Sequence, residues 1–447
     1  MGNLLKKSWA LFTGVGIILV AHGLQGTLMG VRSVIENFSS LSTGILMSGY
    51  FIGYFVGSNL TPTLVSRVGH IRVFAAFAST ASLSILIIAT FVNPIVWTFG
   101  RFLTGLSLVA CFVVAESWLN DRANNRTRGK LLSMYMIINY SALAVGALLL
   151  NFDDPTSFKP FILVSILMSV ALVPILLVKR TAPKFKKIGT LKLKELYKIS
   201  PLGTLSSFCT GAIYSALFTM FAVYAVKIEF SFFEISLLLF LTTIAGAFFQ
   251  GPIGVISDNF DRRVVIITCT LLSAFFCLLL IFISGDKLFN INALHRLLDI
   301  NLLQNYKALT SSGLEKLFFF VFITIYAGIT LSIFSLNLAL TNDYVPKEKF
   351  VAAGGGLQVI FGLGAMGGPF VCSISMEHLG PNGFFIYLFI FHIIIGIFGL
   401  QRVIRRDVED NPDNTFTPLP INITPAGMEL DPETGVDLSK PQNNKSN

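Results

Sequence analysis

Charge is scarce in this chain. Asp, Glu, Lys and Arg supply 13% of its 447 residues, hydrophobic residues supply 53%, and the mean hydropathy is +0.73. A soluble domain carries about 25% charged residues on its wetted surface, so a water-soluble fold is excluded. Cysteine is scarce too: Cys111, Cys209, Cys269, Cys277 and Cys372 fall in apolar stretches without metal-ligand spacing. Neither disulfides nor a metal site is expected. No Gly-rich phosphate-binding loop occurs, which argues against an ATP-driven pump, and no cofactor is expected. Carboxylate, histidine and nucleophile do not cluster at one membrane depth, so no enzyme is expected either.

What the chain has is apolar runs. A helix needs about 20 apolar residues to cross the hydrocarbon core of a bilayer. Twelve runs qualify, at roughly 9–30, 41–64, 73–93, 95–119, 131–150, 158–178, 202–226, 233–256, 264–284, 317–341, 351–376 and 383–401. The first follows Lys6 and Lys7 but is too long for a cleaved signal peptide and lacks a small-residue cleavage site, so it is expected to stay as helix one. With the amino terminus placed in the cytoplasm, 25 of the 33 Lys and Arg residues lie inside, 7 lie outside and Arg101 lies within a span. This positive-inside bias predicts a multi-pass protein of the cytoplasmic (inner) membrane with both termini cytoplasmic. It also accounts for the net charge of +9, so no nucleic-acid partner is needed. The basic 181–200 linker suits anionic lipid headgroups.

Two short loops between apolar runs resemble each other. Gly254-Val255-Ile256-Ser257-Asp258-Asn259-Phe260-Asp261-Arg262-Arg263 lies in the second half, and Leu64-Val65-Ser66-Arg67-Val68-Gly69-His70 in the first, followed by Arg72. Ser66 corresponds to Asp258 at an offset of 192 residues, and Asn120-Asp121 to Asn342-Asp343 at an offset of 222. One insertion, about 285–316, explains the difference and leaves two homologous six-helix halves. Its Leu288, Ile291, Leu294, Leu297 and Leu298 recur at roughly helical spacing, which suits the outer membrane surface.

The loop pattern resembles Gly-x-x-x-Asp-x-x-Gly-Arg-Arg/Lys, the signature of the major facilitator superfamily. Asp261 stands in for the second glycine, and Ser66 for the first-half aspartate. Arg101-Phe102-Leu103-Thr104-Gly105 resembles the superfamily's Arg-x-x-x-Gly motif. His22 to Leu28, running on to Arg32, and Glu116 to Arg122 resemble a largely uncharacterised bacterial subgroup. The Gly-Pro pair of the antiporter motif is missing from the fifth span, and Gly362 to Pro369 carries a similar sequence on the eleventh. The resemblance implies an all-α membrane fold of twelve transmembrane helices in two pseudo-symmetric halves. These are residues 1–180 and 201–406, with a periplasmic insertion. Residues 407–447 are rich in Asp, Asn, Pro and Thr with few large apolar groups, and are expected to form a disordered cytoplasmic tail.

In that family spans one and four of each half line a central cavity. A cation inside hydrocarbon needs a cavity or a polar partner, so Arg101 is expected to form a polar cluster with Gln25 and His22. The alternative is that Arg101 bonds backbone carbonyls of span one. Across the cavity His22 maps to Tyr214, which begins an aromatic stripe with Phe218, Phe221 and Tyr224. The stripe suits a lipid-facing surface, helix packing or an amphipathic cargo. A cytoplasmic gate is expected from Gly254, Asp258, Arg262 and Arg263. In it Asp258 reaches a helix amino terminus across the seam and Arg262 pairs with Asp343. Its weaker twin comprises Arg67, Gly69 and Arg72, with Glu116 as partner to His70 or Arg72. Gate contacts of this kind break as a carrier changes state.

The sequence therefore predicts a monomeric secondary transporter. Its partners are the lipid bilayer and a small organic, amphipathic solute, moved by alternating access in proton-coupled export. The alternatives are an uncoupled uniporter, an uptake symporter, and a transport-dead sensor or scaffold. Glu116 and His22 are the candidates for carrying a proton.

Overall fold

The structure is a computed structural model that describes residues 2–124, 126–177, 189–284, 312–405, 414–420 and 422–434. The first eight residues of the 181–200 linker, most of the 285–316 insertion and both ends of the 407–447 tail lie outside the described residues. The first half contains α1 (Gly2–Ile35), α2 (Ser40–Val68), α3 (His70–Thr90), α4 (Pro94–Arg122), α5 (Arg128–Leu148), α6 (Lys159–Val170) and α7 (Leu172–Leu176). A short α8 (Leu193–Ile199) leads to the second half, which contains α9 (Pro201–Lys227), α10 (Phe232–Asn259), α11 (Arg262–Ser284), α12 (Ser312–Asn342), α13 (Phe350–Leu379) and α14 (Gly383–Arg405). Among the described residues there is no strand.

Among the described residues eleven helical segments are long and apolar enough to cross a membrane, with α6 and α7 together forming one of them. The twelfth, α2, has 29 residues, which is ample length, but Ser, Thr, Asn and Gly interrupt its apolar sequence. Local chemistry sets several ends. Asn93 caps α4 by accepting from the backbone N–H groups of Ile95 and Val96, and Pro94 occupies the first turn, where its missing N–H costs nothing. Ser231 and Glu234 form a capping box on α10. Pro174 has no N–H for the carbonyl of Val170, and the sixth span breaks there into α6 and α7.

The halves repeat one packing scheme. In the first, α1 packs on α5, α2 on α4, and α3 on α4 and α6; in the second, α9 packs on α13, α10 on α12, and α11 on α12 and α14. Glycines bring the backbones together. A Cβ on Gly53 would lie 2.0 Å from the carbonyl oxygen of Phe102, and one on Gly105 1.9 Å from that of Tyr50, so α2 and α4 admit no side chain there. Gly23 and Gly146 bring α1 onto α5 in the same way, and Gly211 and Gly364 make the equivalent crossing of α9 and α13.

The halves meet through α1 with α9, α2 with α13, and α5 with α10. The end bearing the α2–α3 and α10–α11 loops is here the motif end, and its opposite the far end. At the far end the halves touch directly: Gly30 lies under Ala222, Gly44 under Pro369 and Ser373, and Asn151 donates to Ser236 at 2.7 Å.

At the motif end another segment lies between them. Residues 414–420 and 422–434, expected to be a disordered tail, thread the cleft between the halves. Leu419, Ile423, Met428 and Leu430 are all buried there. Low hydrophobicity misled the expectation. Residues 414–428 contain no charged side chain, and their backbone groups find partners on the cleft walls.

Candidate functional site

A cavity between the halves has two lobes that share His22, Tyr50, Phe51, Leu143 and Tyr214. The lobe nearer the far end adds Arg101, Thr219 and Thr243. The lobe nearer the motif end adds Tyr54, Ser58, Gln358 and Phe361, and its wall includes Asn422 and Pro425 from the tail. Among the described residues no Asp or Glu lines either lobe.

Arg101 is 1% exposed. Its guanidinium lies 4.7 Å from the centroid of the Tyr50 ring, close enough for a cation–π contact. Its Nε and Nη1 have no hydrogen-bond partner among the described residues, so the alternative of a lock onto α1 carbonyls is not what the structure contains. His22 stacks on the same Tyr50 ring at 5.1 Å, and its Nε2 lies 3.3 Å from the Tyr50 hydroxyl.

Gln25 departs from the expected cluster. It donates to Thr104 at 3.2 Å, in line with a Thr104–Ser84 contact of 2.9 Å, and lines neither lobe. One helical position separates an inward from a buried side chain, which spacing alone did not resolve. Tyr214 is brought to the cavity, with Phe218 at 4.8 Å, Phe361 at 5.5 Å and Phe51 at 6.5 Å between ring centroids. Phe221 and Tyr224 instead pack on Phe384. Sequence reasoning missed Tyr50 and Tyr54. Their four-residue spacing on α2, with Ser58 one turn on, was the available signal.

At the motif end Arg262 is 7% exposed and tightly bound. It pairs with Asp343, reaches Asp258 at 3.0 Å and donates to the carbonyl oxygens of Ala339 and Asn414. Burial pushes the Asp343 carboxyl up to about 7, against the downward pull of Arg262. Asp261, the departure from the loop pattern, accepts from the backbone N–H of Arg263 at 2.9 Å and from its guanidinium at 2.8 Å. It thus caps α11. In the first half Gly69 makes the equivalent turn with φ +89°, a conformation suited to glycine.

Two gate expectations need correction. Among the described residues Asp258 reaches no helix terminus of the first half; its Oδ1 accepts from the Phe416 backbone N–H of the tail at 2.7 Å. Glu116 turns inward rather than toward His70 or Arg72. It accepts from Tyr135 at 3.0 Å and from the Thr424 N–H at 3.1 Å, and it bonds the Thr424 hydroxyl. His70 instead meets Ser117 at 3.0 Å, while Arg67 and Arg72 are exposed. In both cases the tail supplies the partner, Phe416 for Asp258 and Thr424 for Glu116. Gly254 makes room for it, because a Cβ there would lie 2.4 Å from the Phe416 ring.

Comparison with known proteins agrees with this architecture. The sequence model described as Major Facilitator Superfamily matches residues 11–294 and 203–427. The chain is 23% identical over 380 residues to the uncharacterized MFS-type transporter YcaD of Escherichia fergusonii, covering 85% of this chain and 91% of that protein. It is 25% identical over 273 residues to the YcaD of Escherichia coli O6:K15:H31, covering 60% of this chain and 70% of that one. Among solved structures, the nucleoside transporter NupG superposes with a TM-score of 0.68 at 12% identity, covering 90% of this chain and 99% of NupG. A point mutant of NupG superposes with a TM-score of 0.72, also at 12% identity, covering 89% and 99%. At that identity the likeness concerns the fold.

Proposed function

The chain belongs to the major facilitator superfamily and is a multi-pass membrane transporter, and on that premise we propose that it moves a small amphipathic organic solute with an anionic head by alternating access. One observation carries the reading: Arg101 is buried at a cavity wall with two guanidinium nitrogens unpartnered among the described residues. A buried donor left without an acceptor costs about 1–3 kcal/mol, more when charged. A carboxylate or phosphate entering the far-end lobe removes that cost. The aromatic wall of Phe51, Tyr214, Phe218 and Phe361 suits an apolar body.

The motif end faces the cytoplasm in this reading, as the positive-inside bias supports. Direct contact of the halves at the far end then corresponds to a state closed to the outside. Proton-coupled export is the mode to test first, with uncoupled uniport and uptake symport as alternatives. With no carboxylate lining the lobes among the described residues, His22 is the group to carry a proton.

Proteoliposomes challenged with amphipathic anions, with a pH dye inside, test the proposal. We expect solute movement in the wild type and at least a hundredfold loss in Arg101→Ala, with insertion unchanged. A solute that moves equally in both would remove Arg101 from the path.

A further inference from the structure

Nothing in a transport cycle requires a carboxy-terminal segment inside the cleft, yet residues 414–420 and 422–434 are fitted to it from both sides. Against the second half, Phe416 donates to Asp258, and the Leu419 N–H donates to Gln250 Oε1 at 3.0 Å. Against the first half, the Asn422 carbonyl accepts from Tyr54 at 2.8 Å, the Ala426 carbonyl accepts from Asn120 Nδ2 at 2.6 Å, and Thr424 bonds Glu116. The segment thus crosses from one half to the other and closes on itself, Thr417 donating to Asp431 at 2.9 Å.

The sequence of the segment matches its place. Residues 414–428 form a fifteen-residue stretch without Asp, Glu, Lys or Arg, set between charged flanks. An uncharged strip enters a cleft without the desolvation cost of a charge. Pro418, Pro420 and Pro425 restrict the free tail, so less entropy is lost on docking. The walls are shaped in return, since Gly254 leaves the space that the Phe416 ring fills.

We propose that residues 414–420 and 422–434 are a tethered plug, which closes the motif end of the cavity and holds the halves apart there, so that the carrier cycles only when the tail leaves. This rests on the alternating-access reading, in which the motif ends must come together once per cycle. The occupant is the chain's own tail, and the site is the wall formed by α2, α4 and α5 on one side and α10 on the other. Tethering supplies an effective concentration in the millimolar range, so even a weak intrinsic affinity keeps the plug seated.

The test uses the full chain with its five cysteines replaced, Ser58→Cys as reporter in the lobe beside Asn422, and a protease site inserted between Arg406 and Asn414. Cutting the purified protein should raise the rate of labelling by an impermeant maleimide at least tenfold. A synthetic peptide of residues 414–434 at about 1 mM should slow it again, whereas the same peptide carrying N422A should not. In the uncut chain Gly254→Val should reproduce the effect of cutting, because the added side chain occupies the Phe416 space. Labels at Arg67→Cys and Val255→Cys should report a second, shorter distance between the halves after cutting, because the freed carrier alternates between motif-end-open states, in which Ser58→Cys labels, and motif-end-closed ones. An unchanged labelling rate after cutting, or the absence of that shorter distance, would overturn the plug. The labelling needs no solute, so failure of the Arg101 transport assay leaves this result standing, and unchanged labelling beside intact transport would reject the plug alone.

Discussion

Arg101 and Glu116 are the two most informative residues, and each is explained by a partner far away in sequence. Arg101 rests on Tyr50, which also holds His22, so one aromatic ring organises the polar wall of the cavity. A desolvated cation–π contact contributes about 2 kcal/mol, and a single hydrogen bond about 1 kcal/mol. Tyr50→Ala should therefore destabilise the protein by about 2 kcal/mol, whereas Tyr50→Phe should cost about half as much. Thermal unfolding in detergent checks this, and equal losses in the two variants would mean that the ring is not what holds Arg101. The burial of Arg101 was legible because a cation within an apolar run has few alternatives. Its partner was not, because α2 and α4 meet only after folding.

At the scale of elements, the two motif loops solve one turn differently. The first uses Gly69 with a positive φ, and the second uses the side chain of Asp261 as a cap, so losing a glycine from the pattern did not lose the turn. The tail element makes a prediction of its own. Burial pushes the Asp431 carboxyl up to about 6 in the docked tail, against the opposing bonds of Glu433 N–H and Thr417 and the pull of Arg128 on α5, with the Glu433 charge adding to the rise. A carboxyl whose docked pKa is raised binds its proton more tightly when docked. Docking is then strongest below the ordinary carboxyl range and weakens as pH rises through about 6. The Ser58→Cys reporter in the uncut chain should label more slowly at pH 5 than at pH 7.5, after correction for thiolate reactivity with a free-thiol standard. The reverse order would mean that Asp431 does not govern docking.

At the scale of the molecule, the two halves touch at the far end and are spaced by the tail at the motif end. Packed interfaces of this kind switch between discrete arrangements rather than bending continuously. Gly44 lies so close to Ser373 and Pro369 that a side chain of any size would force the far end apart. Gly44→Leu should shift the population toward far-end opening, with far-end cysteines labelling at least tenfold faster and the motif end protected. Unchanged labelling at the far end would show that this contact does not hold the closed state. The sequence by itself determined the bilayer environment, the twelve helices, the pairing of the halves and the two loops. Those depend on run length and local turn chemistry, which act over a few tens of residues. Only the tertiary structure decided that Gln25 turns toward Thr104, that Glu116 and Asp258 hold the tail, and that this uncharged strip lies between the halves. Such contacts join residues separated by 79, 308 and 158 positions, and only packing brings positions so distant into register.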